Sequence, residues 1–342
     1  MKKRRYRIIG ILAIVLIVLW AISGHIHLQF WNGTQSTTNF QPSTFNLQQI
    51  QNITGKLLIF PWAFDQFFTM IGHTQTWLQI QTYEFTEKKI KDLFKNLLDK
   101  GVSIQLILEN HPYEAYVDEF TPIKNAFSGY ADFAIKSDQQ MKTEYVHSKI
   151  DLMDQSFLIK TANLTHSSLF SNREYMFYST DSWVLQSLKT IFAKDRAGEP
   201  IKPSDIHPNL VICNINCRTV IESILQQAKS SIIIQTQYIN DPAILDILSS
   251  QQKKLSEMKL LVADVTTNDM LKSYLPAVTK KLSKPYLHAK MILIDHKILL
   301  LWSMNLSANS LDKNREIWIL LLDPTLISQF SAQFTKDWGS GR

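Results

Sequence analysis

The sequence predicts an α/β protein made of two similar halves, and three observations carry that prediction. A His, a Lys two residues on and an Asp five residues after the Lys occur twice: His147, Lys149 and Asp154 in YVHSKIDLMD, then His288, Lys290 and Asp295 in YLHAKMILID. Companions follow each copy in the same order, Asn163 and Asn172-Arg173-Glu174 in the first, Asn305 and Asn314-Arg315-Glu316 in the second. Between them, short apolar runs alternate with amphipathic ones, the pattern of strands and helices with some parallel pairing.

The two copies hold register. His147 maps to His288 at an offset of 141, and Asn163 to Asn305 at 142, an offset that also relates Leu169 to Leu311, Phe192 to Phe334 and Asp195 to Asp337. Upstream, 77–85 parallels 232–240. A repeat of roughly 150 residues exceeds any solenoid period and reads as a pair of domains.

In the first half the elements follow in order. Residues 57–60 form an apolar strand and FPWAFDQFFTMIG an aromatic-rich helix. Trp62, Phe64, Phe67 and Phe68 there suggest either a buried face or a lipid-facing wedge, and the buried face is favoured. Residues 77–82 are a strand, then about 86–100 an amphipathic helix with Glu87 in its first turn and Gly101 beyond its end, then strand 102–108. The His-x-Lys motifs sit on strands, where spacing by two places both side chains on one face, with Asp151 sharing it in the first copy. Asp154 and Asp295 have the opposite parity and belong behind the site. The division is 1–24 an N-terminal apolar segment, 25–50 a polar tether, 51–196 the first domain, 197–208 a proline-rich linker and 209–340 the second domain.

At the N-terminus Lys2, Lys3, Arg4, Arg5 and Arg7 precede an uncharged apolar run, 8–22. This is a short transmembrane helix that leaves the rest of the chain outside the cytoplasm. A signal peptide cleaved near Ala21-Ile22-Ser23, giving a secreted protein, is the alternative; Trp20 favours the anchor. The net charge of +6 resides mostly in that cluster, so the body is nearly neutral and shows no broad nucleic-acid footprint. Lys280, Lys281 and Lys284 cluster before the second motif, as a solvated loop or a hold on an anionic substrate. Cys213 and Cys217 either close a local bridge or stay buried thiols, and thiols are favoured. No spacing of Cys and His suggests a metal site, and only 10 Gly, with no glycine-rich loop, argue against a nucleotide cradle.

A symmetric pair of His and Lys suits displacement at a phosphodiester. Lys149 and Lys290 neutralise charge growing on the non-bridging oxygens; Asn163, Asn305, Thr161 and Ser303 donate hydrogen bonds to them. One His attacks phosphorus and the other protonates the leaving oxygen, giving a phosphohistidine. Glu174 and Glu316 are candidates to fix the histidine tautomers, unless Arg173 or Arg315 pairs with them instead. No cofactor and no metal is required. His166 and His296 have no counterpart in the other copy and read as incidental.

These residues resemble the phospholipase D superfamily, whose signature is H-x-K-x4-D, then G-S-x-N and a downstream acid. The resemblance covers about 50–340. It implies a phospholipase D-like fold, two similar α/β/α domains about a pseudo-twofold axis with both His at one site, and His147 as nucleophile with His288 as acid. The sequence departs at the Gly of G-S-x-N, which is Lys160 in one copy and Trp302 in the other, and Thr161 stands where the Ser would be. Bulky residues there are expected to reshape the pocket. The site list is His147, Lys149, His288, Lys290, Glu174, Glu316, Asp154 and Asp295, and one chain supplies both halves, so no dimer is required. The substrate class implied is a phospholipid head group at a membrane, with extracellular nucleic acid as the alternative and a non-catalytic phosphate-binding scaffold as a minor one.

Overall fold

The alternation of strand and helix in each half produces one seven-stranded mixed sheet per half. A computed structural model describes residues 46–112 and 118–342; the N-terminal apolar run and most of the tether lie outside the described residues. Among the described residues no helix is long and apolar enough to cross a membrane.

The first half runs β1 (Lys56–Ile59), α1 (Phe64–Gly72), β2 (Trp77–Thr82), α2 (Lys88–Asp99), β3 (Ser103–Leu108), α3 (Phe120–Ala126), β4 (Phe133–Ser137), β5 (Ile150–Met153), β6 (Ser156–Lys160), α4 (His166–Phe170), β7 (Tyr175–Ser179) and α5 (Ser182–Ala197). The second runs β8 (Leu210–Ile212), α6 (Cys217–Gln227), β9 (Ser231–Thr236), α7 (Pro242–Gln252), β10 (Glu257–Ala263), α8 (Asp269–Tyr274), β11 (Thr279–Leu282), β12 (Lys290–Ile294), β13 (Ile298–Trp302), α9 (Ala308–Asp312), β14 (Ile317–Leu321) and α10 (Pro324–Ser340). The sheet orders are β1-β7-β6-β5-β2-β3-β4 and β8-β14-β13-β12-β9-β10-β11, so the topology is repeated strand for strand. In each sheet the second, third and fourth strands pair in parallel and the rest antiparallel.

The local reasons are visible in the sequence. In α2, Ile90, Leu93, Phe94, Leu97 and Leu98 fall on one helical face and all are buried. Glu87 stands one step earlier than expected, as the N-cap accepting from Lys89 N at 3.0 Å. Gly101, at φ +83°, ends the helix in a conformation that favours glycine. Gly55 is required for a different reason: a Cβ there would lie 2.2 Å from the Tyr178 carbonyl on neighbouring β7.

Three apolar cores divide the layers. One, around Phe67, Phe94 and Phe127, lies between the first sheet and its outer helices. Another, around Ile221, Leu248 and Trp302, does the same in the second half. The third draws Ile150, Leu152 and Ile159 together with Met291, Leu293 and Phe330, so it lies between the sheets and belongs to both halves. Alternation along the strands sends odd and even residues to different cores, which explains why these strands read as continuous apolar runs. Of the aromatic group, Phe64 and Phe67 are buried as favoured, while Trp62 is 69 % exposed.

Strand pairing refines the repeat. Gln81 opposes Ile150 and Gln235 opposes Met291, so Gln81 matches Gln235 at an offset of 154. The string match of 77–85 with 232–240 is therefore out by one residue, a slip that apolar runs buried on both faces cannot penalise at sequence level.

Other expectations are corrected. Cys213 and Cys217 are bridged, one just past the end of β8 and one opening α6, with Cα atoms 4.5 Å apart. The tether's last residues are built into the fold: Ile50 is buried in the second half's core, and Gln51 N donates to Asn209 Oδ1 at 3.0 Å. Lys281 is tied to Asp269 and to the Val265 carbonyl, and Lys280 to the Trp338 carbonyl and ring, so two of the three clustered lysines serve the fold.

The halves are clamped by two crossed ion pairs. Arg173 reaches Asp337 through Nε and Nη2 at 2.7 and 3.0 Å, and Arg315 Nε reaches Asp195 at 3.2 Å. These arginines therefore do not pair with Glu174 or Glu316. Asp337→Ala leaves the buried Arg173 guanidinium uncompensated, and we expect a loss of about 3–5 kcal/mol. Equilibrium urea unfolding measures this; an unchanged midpoint would show the clamp to be dispensable.

Candidate active site

The two motifs meet because each half's Asn-Arg-Glu segment runs beside the other half's motif. His147 N and Ser148 N both donate to the Arg315 carbonyl, at 3.0 and 2.8 Å, and Arg315 N donates to the Tyr145 carbonyl at 2.8 Å. The mirror set joins His288 N to the Arg173 carbonyl at 3.2 Å and Arg173 N to the Tyr286 carbonyl at 2.8 Å. With the backbones fixed this way, the next residue of each segment faces a histidine. Glu316 lies 2.9 Å from His147 Nδ1 through either oxygen, and Glu174 Oε1 lies 2.6 Å from His288 Nδ1. The carboxylates are exchanged between halves.

A carboxylate only accepts, so Nδ1 carries the proton in each ring and Nε2 is left for chemistry. Burial pushes His147 down to about 4; Glu316 opposes this, while Lys149 and Lys290 add to it. Burial lowers His288 as well, against Glu174. For the glutamates burial acts upward, but the facing histidines and lysines outweigh it and both carboxyls end below their ordinary value.

Lys149 and Lys290 complete the group. Each ammonium donates to the carbonyl of its own histidine, at 2.8 and 2.7 Å. Burial lowers Lys149 to about 8, opposed by Glu316, Glu174 and Glu84; it lowers Lys290 to about 7, opposed by Glu174 and Glu316 with Lys149 adding. Each lysine therefore senses both glutamates, which places all six side chains in one cluster. An anionic ligand there restores the charge on both ammonium groups.

The remaining candidates divide. Thr161 and Ser303 spend their single hydroxyl proton on Glu174 and Glu316, at 2.6 and 2.5 Å, so they position the glutamates. Asn163 Nδ2 donates to Glu84 at 2.5 Å. Asn305 occupies the matching place, where the chain has Tyr238 instead of Glu84; Oδ1 of each Asn is buried without a hydrogen bond among the described residues. Asp154 and Asp295 stand in the hairpin turns at the far ends of β5 and β12. There they accept from the backbone of residues 75–77 and 229–231, apart from the histidines.

Lys160 and Trp302 do not reshape the pocket. Each points into the outer core of its half, Lys160 onto Asp151 at 2.5 Å and Trp302 onto Trp318 at a ring distance of 5.1 Å. Asp151 thus serves Lys160 rather than the histidines, and Ile292 fills its place where the partner is Trp302. His166 and His296 touch Glu87 and Glu257 on the surface.

Sequence reasoning missed Tyr83 and Glu84 on the loop after β2. The Tyr83 ring meets His147 edge-on at 4.7 Å and lies 5.5 Å from Lys149 Nζ. Their signal was their position, directly after a strand that pairs with the motif strand. Among the described residues no group of three or more His, Cys, Asp or Glu could hold a metal ion.

Two mirrored His–Glu pairs with two buried lysines, on a duplicated α/β scaffold, define a phosphodiester-transfer class of protein. The chain belongs to the phospholipase D superfamily: residues 67–196 and 221–338 match the family described as "Cardiolipin synthase, PLD-like domain". Among solved structures it is similar to the phosphatidylserine synthase of Haemophilus influenzae Rd KW20, at 13 % identity and a TM-score of 0.64 over 87 % of each chain. It is also similar to the polyphosphate kinase of Porphyromonas gingivalis, again at 13 % identity and 0.64, covering 82 % of this chain but only 50 % of the kinase. At these identities the likenesses show the fold. No curated protein sequence matches.

The exchange of carboxylates is directly testable. In Glu316→Gln, the ring ¹⁵N signals of His147 should move while those of His288 stay in place, and Glu174→Gln should do the reverse. Histidine-selective NMR reads both, and a response in the same half as the substitution would overturn the crossed pairing.

Proposed function

We propose that the protein is a phosphodiesterase of phospholipase D type that hydrolyses or exchanges phospholipid head groups. The observation that carries this is the crossed pair His147–Glu316 and His288–Glu174, which leaves two Nε2 atoms facing one lysine-lined site. The family description and the phosphatidylserine synthase fold support a phospholipid as the diester. Lys280 and Lys281 are engaged in the fold, which weakens one of the supports for a nucleic acid as the alternative substrate.

His147 Nε2 attacks phosphorus, the bond to the head-group oxygen breaks, and His288 Nε2 gives that oxygen a proton. Water or an alcohol then loses a proton to His288, attacks phosphorus and breaks the P–N bond. His147 is suited to attack because burial keeps it neutral. The negative diester raises His288 toward protonation and recharges both lysines. Anchored by 8–22, the catalytic region works outside the cytoplasm, a compartment in which a Cys213–Cys217 bridge persists.

The pH profile follows from these shifts. His147 is neutral only above about 4, so kcat/KM should rise through that pH. His288, lowered from 6.5, and Lys290, at about 7, lose their protons as pH rises, so kcat/KM should begin to fall below 6.5 and continue falling through about 7. The alkaline limb of kcat should lie higher, since the bound diester raises both groups. A kcat/KM that climbs steadily to alkaline pH would sink this assignment.

The covalent step has its own test. With a p-nitrophenyl phosphodiester in excess chelator, His288→Asn should still form a phosphohistidine and His147→Asn should form none, read by acid quench and mass spectrometry. An adduct on His288 in the unaltered protein would reverse the two roles; loss of turnover in chelator, restored by a divalent ion, would remove the mechanism.

A further inference from the structure

The repeat contains one place where its two copies differ in what covers the clamping arginine. In the first instance Phe60 N donates to the Glu174 carbonyl, and in the second Cys213 N donates to the Glu316 carbonyl, so Trp62 and Ile215 occupy matching positions. Trp62 lays its indole on the Arg173 guanidinium, 4.5 Å from ring centre to carbon. Ile215 cannot stack. Over Arg315 there is instead a cavity of about 320 Å³, lined by Met141, Thr143, Ile201, Asn214, Ile215 and Arg315. That volume is at the small end of ligand pockets.

The two arginines also differ in their bonding. Arg173 uses Nε, Nη1 and Nη2, whereas Arg315 uses only Nε and Nη1, to Asp195, the Cys213 carbonyl and Asn214. Its Nη2 makes no hydrogen bond among the described residues. A planar guanidinium fixed at one edge and lining a cavity, with Met141, Ile201 and Ile215 beside it and Lys142 and Glu199 also in the wall, can serve as a stacking platform.

We propose that this cavity binds a small planar aromatic molecule, which stacks on Arg315 as Trp62 stacks on Arg173. The site lies apart from the histidines but is joined to them. The Arg315 carbonyl holds His147 N and Ser148 N, and the adjoining Glu316 holds the imidazole. Occupancy therefore braces the segment that orients His147. This second part rests on the proposed catalytic reading; the binding itself does not.

The probe is indole, added to the full chain and followed by ligand-observed NMR. Nine heavy atoms on a preformed shelf should give a Kd of about 1 mM. Cyclohexanol, similar in size but without a π face, should bind at least ~10-fold more weakly. Ile215→Trp supplies the ring from the chain itself and should abolish indole binding, its thermal unfolding confirming a folded protein. Equal binding of indole and cyclohexanol, no indole binding at millimolar concentration, or undiminished binding to folded Ile215→Trp would each overturn the site. If Ile215→Trp does not fold, Ile201→Trp, which narrows the same cavity from the linker, replaces it. Phosphodiester turnover measured with and without indole tests the link to His147: a change in rate lost in the Trp variant supports it. Binding with no change in rate would overturn the link and leave both the cavity and the catalytic proposal standing.

Discussion

The site depends on an exchange: each half supplies the carboxylate that orients the other half's histidine. The exchange is imposed by main chain before side chains take part, since the Arg315 and Arg173 carbonyls accept from the amides of His147, Ser148 and His288. Side chains alternate along such extended segments. The arginine of each Asn-Arg-Glu therefore turns one way, to the Asp that clamps the halves, and the glutamate turns the other, to the histidine. One tripeptide both joins the halves and builds the site. Separating the halves would lose the ion pair and the imidazole partner together.

This arrangement explains the burial. Six ionisable side chains sit in a site from which water is largely excluded, at a cost that only mutual compensation offsets. The two glutamates answer the two lysines, and the neutral histidines stand between them. Burial is what lowers the lysines and histidines, and on the proposed reading a phosphodiester would bring negative charge that opposes that lowering.

Much of this was legible in the chain. The duplication, strands 57–60 and 77–82 and the α2 face follow from local pattern and repetition, while one site for His147 and His288 was implied by the family resemblance. What was not legible lies between distant positions. His147 and Glu316 are 169 residues apart, and no spacing tells whether a histidine takes its carboxylate from its own half. The reach of Asn163 to Glu84 and the pairing of Lys160 with Asp151 have the same character. Lys160 read as an intrusion on the phosphate pocket because strand parity at β6 depends on where the sheet's two cores lie. Ile50 read as tether because a short weakly periodic stretch carries no sign that a neighbouring half will bury it.

The repeat is symmetric in backbone and asymmetric in chemistry, and the asymmetry bears on how the histidines divide the work. On the first half Tyr83 meets His147 edge-on and Glu84 takes the Asn163 amide; on the second, the same backbone positions hold Gln237 and Tyr238. The extra carboxylate acts on Lys149, which remains near 8 while Lys290 falls to about 7. Glu84 thus adds negative charge to the side of His147 that the second half lacks. On the proposed reading, in which His147 attacks and His288 protonates, the ring and the extra carboxylate stand on the nucleophile's side. The residues after β2 and β9 are where the duplicated halves have diverged around their histidines.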